Sequence, residues 1–417
     1  MCENRTLKHK TTIHAGLILT ILFFSLCATA VATNVPDVNQ PGLYEVGHIW
    51  YEFKDYSRVP TYLEYWPVTV NVFYPVNPED INSSTSKTIY HFEDFYQGWQ
   101  NDGPWYEFES SDYEGPFDLE PAYLNPPVSD NGPFPLVMVS HGGGTGGTGL
   151  EMFSIGTRLA SHGFTIAIIN HYSDHIPPDP LVLVDWTANI SFALSTLLEI
   201  NETEGAILYG AINPNKIAAA GFSWGGTSSL ALAGGKEACV EDNCETIVDI
   251  DPRIKAVVSL DGGSFVFNLN ELNRISVPVL SIGEDWENLA AYFFGWAGFR
   301  ARLHAATIQA HPSYRIDIHG LSHKDFPYST QEIKRIITKY MIAFLKTNLS
   351  GESGYKKILT PGHALTHESM VSFFVTEKCS LKAGFVGEWV GIFDYPPNLF
   401  FIKQPGYDEA NAYKEDE

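Results

Sequence analysis

The chain has 417 residues, 44% of them hydrophobic, and carries 49 acidic against 26 basic side chains for a net charge of −23 at pH 7. This length can bury a large core, arranged as one big domain or two of medium size. So acidic a surface repels phosphate backbones and anionic lipid at long range, which excludes nucleic acid as a partner.

At the N-terminus, Arg5, Lys8 and Lys10 precede the apolar run LILTILFFSLCATAVA, which closes in small residues at Ala28, Ala30 and Ala32. Residues 1–32 have the pattern of a secretory signal peptide cut after Ala30 or Ala32, and the expected location is extracellular or periplasmic. An uncleaved membrane anchor is the competing reading, because the run approaches spanning length. Cleavage removes three basic residues and Glu3, so the net charge moves from −23 to −25.

Further along, apolar runs alternate with stretches of helical spacing. The strand candidates are PVTVNVFY (67–74), PFPLVMVS (133–140), GFTIAIIN (163–170), KIAAAGFS (216–223), RIKAVVSLD (253–261), VPVLSIG (277–283) and SYRIDIHG (313–320). Each is rich in Val, Ile and Ala without strict alternation, as strands buried on both faces are. Between them lie the helix candidates GLEMFSIGTRLASH, LVDWTANISFALSTLLEIN, GTSSLALAGG, ENLAAYFFGWAGFRARLHAA and TQEIKRIITKYMIAFLKTNL. This alternation predicts an α/β fold: a mostly parallel sheet with helices on both faces.

Two segments break the rhythm. Residues 77–133 are acidic and crowded with rings, among them Tyr90, Phe92, Phe95, Trp99, Trp105 and Tyr123, which argues for an insertion packed onto the domain rather than a disordered linker. Residues 380–417 form a C-terminal extension that ends in YDEANAYKEDE, whose last residues are expected to be mobile. Cys239 and Cys244 are close enough for a short-loop disulfide, which an exported chain permits, and Cys379 is left over. A CxxxxC without a second pair argues for the disulfide over zinc. Asn82, Asn189, Asn201 and Asn348 each open an Asn-x-Ser/Thr acceptor site.

The chemistry is concentrated at Gly221-Phe222-Ser223-Trp224-Gly225, which follows an apolar strand and opens a helix of small residues. A sharp strand-to-helix turn leaves no room beside the serine, so glycines flank it and its hydroxyl projects at a helix N-terminus, where partial positive charge favours an oxyanion. A serine needs a base within hydrogen-bond reach and an acid to orient that base. His323, in the loop DIHGLSHKDF after the final parallel strand, is the expected base, while His319 at the strand end suits a structural role. For the acid, Asp261 and Asp285 each follow a strand, and spacing alone does not choose between them. One oxyanion N–H should come from Trp224 and the other from the glycine loop His141-Gly142-Gly143-Gly144 after PLVMVS. A phosphate-cradling role for that loop fails for want of a Gly-Lys-Ser/Thr ending.

Several of these segments together, PFPLVMVSHGGGTGGTGLEMFSIGTRLASHGFTIAIINH, KIAAAGFSWGG, AVVSLDGGSF, VPVLSIGEDW and HGLSHKDF, resemble plasma-type platelet-activating-factor acetylhydrolases of the α/β-hydrolase superfamily. The similarity covers roughly residues 43–375, within an expected catalytic domain of 43–379. It implies Asp261 as the acid, through the pair Leu260-Asp261, and the N–H groups of Gly143 and Trp224 as oxyanion donors. No cofactor and no metal are implied. It further implies a secreted serine ester hydrolase acting on phospholipids or other lipid esters with short acyl chains, with transient contact to a membrane or lipoprotein surface. Two departures bear on substrate: Gly143 stands where the family usually has a bulky residue, and the Cys239–Cys244 segment lengthens the gap between serine and acid. Rings from 77–133 and 286–299 would line or cap an acyl pocket, or equally serve as plain core. The alternatives are a dienelactone-type or peptidase-type hydrolase using Asp285, and a non-catalytic binding protein on a hydrolase fold.

Overall fold

A strand covered on both faces needs apolar side chains at every position, and WPVTVNVFYPV supplies them: Trp66–Val76 (β2) is buried along its whole length. The computed structural model describes residues 35–59, 63–88, 121–143, 149, 152–173, 175, 179–240, 243–247, 250–284, 304, 312–323 and 330–376. Within these, β2 is joined by Glu45–Asp55 (β1), Ala122–Leu124 (β3), Phe134–Ser140 (β4), Thr165–His171 (β5), Ile212–Phe222 (β6), Ile254–Leu260 (β9), Val279–Glu284 (β10), Ser313–Ile318 (β11) and Val371–Thr376 (β12). A separate hairpin pairs Glu237–Val240 (β7) with Asn243–Thr246 (β8).

The ten strands form one sheet in the order β12-β11-β10-β9-β6-β4-β5-β2-β1-β3. Its middle, from β5 through β4, β6, β9 and β10 to β11, is parallel throughout, and β1, β2 and β12 join antiparallel at the flanks. All seven strand candidates read from the sequence are present, and the α/β class with a mostly parallel sheet is the observed one. The five further strands that escaped the reading are β1, β3 and β12 at the sheet's periphery and the β7–β8 hairpin pair. Gly47 in β1 shows why: it reads as a breaker, yet a Cβ there would lie 2.2 Å from the Tyr74 ring, so the position is glycine for packing.

Helices cover both faces. Phe153–Ser161 (α1) lies on the side of Ile166 and Ile168, where Gly156 lets it approach closely. Leu181–Glu202 (α2) lies on the other side, its Trp186 stacked on His171 of the same strand with ring centroids 4.4 Å apart. Trp224–Ala233 (α3) follows β6, and Gln331–Leu345 (α5) follows β11, with the short Leu269–Asn273 (α4) and Pro361–His367 (α6) between and after. Thr330 caps α5 by accepting from the N–H of Ile333. α2 is apolar enough in composition to cross a membrane, but half of that stretch is buried inside the protein, as suits a core helix.

Cys239 and Cys244 are joined in a disulfide across the β7–β8 hairpin, with Cα atoms 4.0 Å apart. Asn189 corrects one sequence expectation: its side chain is fully buried and its Oδ1 accepts from Trp66 Nε1 and Arg58 Nη2 at 2.8 Å each, so the folded chain offers no glycan acceptor there. Residues 1–32, 89–120, 285–300 and 377–417 lie outside the described residues, and with them the signal peptide, most of the ring-rich insertion, Asp285, Cys379 and the acidic end.

Candidate active site

The chain turns tightly where β6 becomes α3. Ser223 sits there with φ 53° and ψ −120°, a conformation that costs an ordinary L-residue of order 1–3 kcal/mol and persists only where the surroundings enforce it. The enforcing contacts are backbone. A Cβ on Gly221 would meet Gly225 C and O at 2.4 Å, and one on Gly225 would meet Ser140 O at 2.2 Å and His141 O at 2.4 Å. The flanking glycines are thus fixed by the approach of neighbouring backbone, as the turn geometry demands.

A serine at a helix N-cap ordinarily accepts from the backbone N–H two or three residues on. Ser223 makes no such cap bond. Its Oγ lies 3.0 Å from His323 Nε2, and His323 Nδ1 lies 2.6 Å from Asp261 Oδ2. With an ionised Asp261 accepting, the histidine carries its proton on Nδ1, and Nε2 is left to accept from the serine hydroxyl. The Asp261 side chain is fully buried, whereas that of His323 is 43% exposed, so the carboxylate is shut from water and the imidazole is open to solvent. The Phe222 ring stacks on the His323 ring at 5.1 Å between centroids.

Asp261, like Ser223, has positive φ (48°), and its N–H donates to Ile282 O at 2.7 Å. The Ser223 N–H donates to Leu260 O at 2.9 Å, which ties the serine turn to the end of β9. Asp285 lies outside the described residues. His319 is turned away, its Nε2 3.0 Å from Ser372 Oγ on β12.

The glycine loop lies against the serine turn. A Cβ on Gly142 would meet Phe222 Cδ1 at 2.7 Å and Ser223 Cβ at 3.4 Å. Trp224 is the first residue of α3, so its N–H is one of the four that a helix start leaves without an intrahelical acceptor. Gly143 follows directly on Gly142, and residues 144–148 lie outside the described residues.

Behind this loop is a buried polar cluster that the sequence did not announce. His141 Nδ1 donates to Gly142 O at 2.8 Å, and its Nε2 accepts from the His171 N–H at 3.1 Å. His171 Nε2 lies 2.7 Å from Ser140 Oγ, and Asn189 Nδ2 is 3.3 Å from its Nδ1. Burial pushes His141 down to about 4, and His171 well below the usual range, where His141 and Arg58 add to the effect. Both rings are therefore neutral hydrogen-bonding groups at pH 7. The one available signal was His141 itself, placed directly before glycines at a strand end.

A groove of about 600 Å³, lined by Val128, Asp130, Tyr209 and Ala211 among others, lies beside the first residues of β4 and β6. It is separated from Ser223 by the length of β6, about 30 Å, and we assign it no part in this site. Among the described residues no group of three or more His, Cys, Asp or Glu is arranged to hold a metal ion.

Residues 144–380 match the family described as PET hydrolase-like, a stretch that contains Ser223, Asp261 and His323. Cutinase 2 of Thermobifida cellulosilytica is 25% identical over 217 residues, which cover 52% of this chain and 70% of that protein. Cutinase cut1 of Thermobifida fusca is also 25% identical over 217 residues, covering 52% of this chain and 57% of the relative.

Proposed function

The chain belongs to the PET hydrolase-like family of α/β-hydrolases, and from that premise we propose that it is a serine ester hydrolase with Ser223 as nucleophile, His323 as base and Asp261 as orienting acid. The observation that carries the reading is the relay of hydrogen bonds from Ser223 to His323 (3.0 Å) and from His323 to Asp261 (2.6 Å). In it, Ser223 Oγ attacks the ester carbonyl while its proton passes to His323 Nε2. The Asp261 carboxylate stabilises the imidazolium and holds the ring's orientation.

The tetrahedral oxyanion accepts from the N–H groups of Trp224 and Gly143 at the positive end of α3, each such donor supplying on the order of 3 kcal/mol to the transition state. Collapse expels the alcohol, which takes the proton from His323 and leaves an acyl group on Ser223. Water then repeats the sequence: His323 takes its proton, the hydroxyl attacks the acyl carbonyl, and Ser223 leaves reprotonated with free acid as the second product.

The relatives named cutinases and the family description favour carboxylic esters, polyesters included, as the substrate class. The narrower reading, phospholipids with short sn-2 chains, draws on the catalytic-loop motifs and is set against it in the assay. Export is supported by the disulfide of Cys239 and Cys244 together with the signal-like N-terminus. The test is a hydrolysis panel of p-nitrophenyl esters from about two to sixteen carbons, short-chain phosphatidylcholines and an aromatic polyester film, run beside fluorophosphonate labelling. We expect labelling and ester turnover in the parent and neither in Ser223→Ala. Labelling retained in Ser223→Ala would refute the assignment, and hydrolysis of the phosphatidylcholines in preference to the other esters would restore the narrower substrate.

A further inference from the structure

His323 is held by its main chain as well as by the two ring bonds of the relay. Its ring bonds Asp261 and Ser223, and its backbone N–H donates to Glu284 Oε2 at 2.8 Å. Glu284 is the last residue of β10 and is 6% exposed. Burying a carboxylate is costly unless N–H donors meet it, and a bond from a backbone N–H to an ionised oxygen is among the stronger kinds. No proton transfer in the proposed cycle passes through this side chain.

The topology explains why a holding group is needed. β10 lies between β9, which Asp261 directly follows, and β11, from which the histidine loop departs. Glu284 pairs with Ile318, the last residue of β11, so it stands beside the root of that loop. Two residues earlier on the same strand, Ile282 O accepts from the Asp261 N–H at 2.7 Å. One strand end therefore grips the backbone of both the acid and the base, one through a main-chain carbonyl and the other through a side-chain carboxylate. Their own bond of 2.6 Å is set between those two grips.

We propose that Glu284 is a positioning residue for catalysis, its buried carboxylate fixing the His323 main chain so that the imidazole meets Asp261 and Ser223 together. This rests on the assignment of those three residues made above. A displacement of a reacting group by about 1 Å costs on the order of a hundredfold in rate, and the Glu284 bond limits such a shift of the His323 main chain.

The carboxylate's reach and its charge separate in two conservative variants. Glu284→Gln keeps an oxygen acceptor at the same reach without the charge. Glu284→Asp keeps the charge and withdraws the acceptor by about 1.5 Å, one C–C bond. The readouts are kcat and KM on a p-nitrophenyl ester, the rate of fluorophosphonate labelling of Ser223, and the melting temperature. For Glu284→Asp we expect kcat and the labelling rate to fall about 10- to 100-fold, with KM within about threefold and a cooperative melt. For Glu284→Gln both rates stay within about threefold of the parent.

Retention of the parent kcat by Glu284→Asp would overturn the inference, as would an equal loss in Glu284→Gln or a change confined to KM. Should Glu284→Asp not fold, Glu284→Gln still decides: a large loss of labelling rate in that folded variant refutes positioning by an acceptor. Ser223→Ala serves as the control that separates the two claims. Turnover surviving in it would defeat the nucleophile assignment, whereas turnover lost in it but kept in Glu284→Asp would defeat the present proposal alone.

Discussion

Replacing Asp261 by Asn tests the relay at its most buried point. The side chain has no solvent access, and its Oδ2 accepts from His323 Nδ1 at 2.6 Å. An Asn amide can meet Nδ1 in two ways. If its NH₂ faces the ring, the imidazole proton moves to Nε2, and the nitrogen that should accept from Ser223 becomes a donor. If its oxygen faces the ring, the tautomer survives but the charge that stabilises the imidazolium is gone. Either way the expected loss in kcat is about 10³- to 10⁴-fold, equivalent to about 4–5.5 kcal/mol of barrier. The shape is nearly unchanged, so KM and melting temperature should stay close to the parent. Steady-state turnover of a short p-nitrophenyl ester, with phosphonate labelling to count folded sites, measures both. Asp285→Asn, made in parallel, should leave kcat within about threefold of the parent. A loss under tenfold in Asp261→Asn, or the large loss appearing in Asp285→Asn instead, would refute the reasoning.

Three further outcomes follow from the same geometry. Gly225→Ala drives a Cβ to 2.2 Å from Ser140 O, and since neither backbone can yield cheaply the variant should lose several kcal/mol by urea unfolding and most of its turnover; parent-like stability would show the turn to be looser than described. Burial holds His48 and His141 down to about 4, against about 6.5 in an unfolded chain. The unfolded state therefore binds more protons below about pH 6.5, so stability is fully present above that pH and falls toward pH 4, by about 2 kcal/mol per histidine at pH 5; equal urea midpoints at pH 7.5 and 5 would contradict this. Cys239 and Cys244 are five residues apart, and so short a closed loop is worth about 2 kcal/mol in the chain-entropy account. The double Ser variant should lose about that much stability with kcat unchanged, read by denaturant titration beside an ester assay; a collapse of turnover would tie the hairpin to the site.

How much could be read from the chain depended on what each residue has to satisfy locally. β2, β4, β5, β10 and β11 are buried at every position, so composition alone exposes them. β1 mixes buried and exposed positions, as EVGHIWYEFKD does, and an edge-side strand of that kind carries no clean period. The serine turn was legible because its residues are contiguous and Gly221 is demanded by the backbone of Gly225 and Gly226, only a few residues on. Glu284 and His171 were not, because their partners stand 39 and 30–31 residues away in the chain. The Asn-x-Ser/Thr triplet at Asn189 says nothing of burial; only the packing of α2 on β5 turns this side chain into the hub that bonds Trp66, Arg58 and the Tyr172 carbonyl.

Topology accounts for the way the histidine loop meets two carboxylates, Glu284 and Asp261. Ser223 directly follows β6, Asp261 directly follows β9, and the histidine loop leaves β11, in the sheet order β6-β9-β10-β11. At about 4.8 Å per strand, the base must travel about 14 Å sideways to reach the serine. The loop first turns, with the Leu321 N–H donating to Ile318 O at 3.4 Å, and the His323 side chain supplies the last part of the reach across the ends of β10 and β9. That path meets β10 and Glu284 first and Asp261 beyond β9 second. It brings the main chain to the nearer carboxylate and the ring to the farther one, as the 2.8 and 2.6 Å bonds record. The nearer acid meets an amide, and only the farther one lies beside the serine's own strand, where an imidazole can touch both.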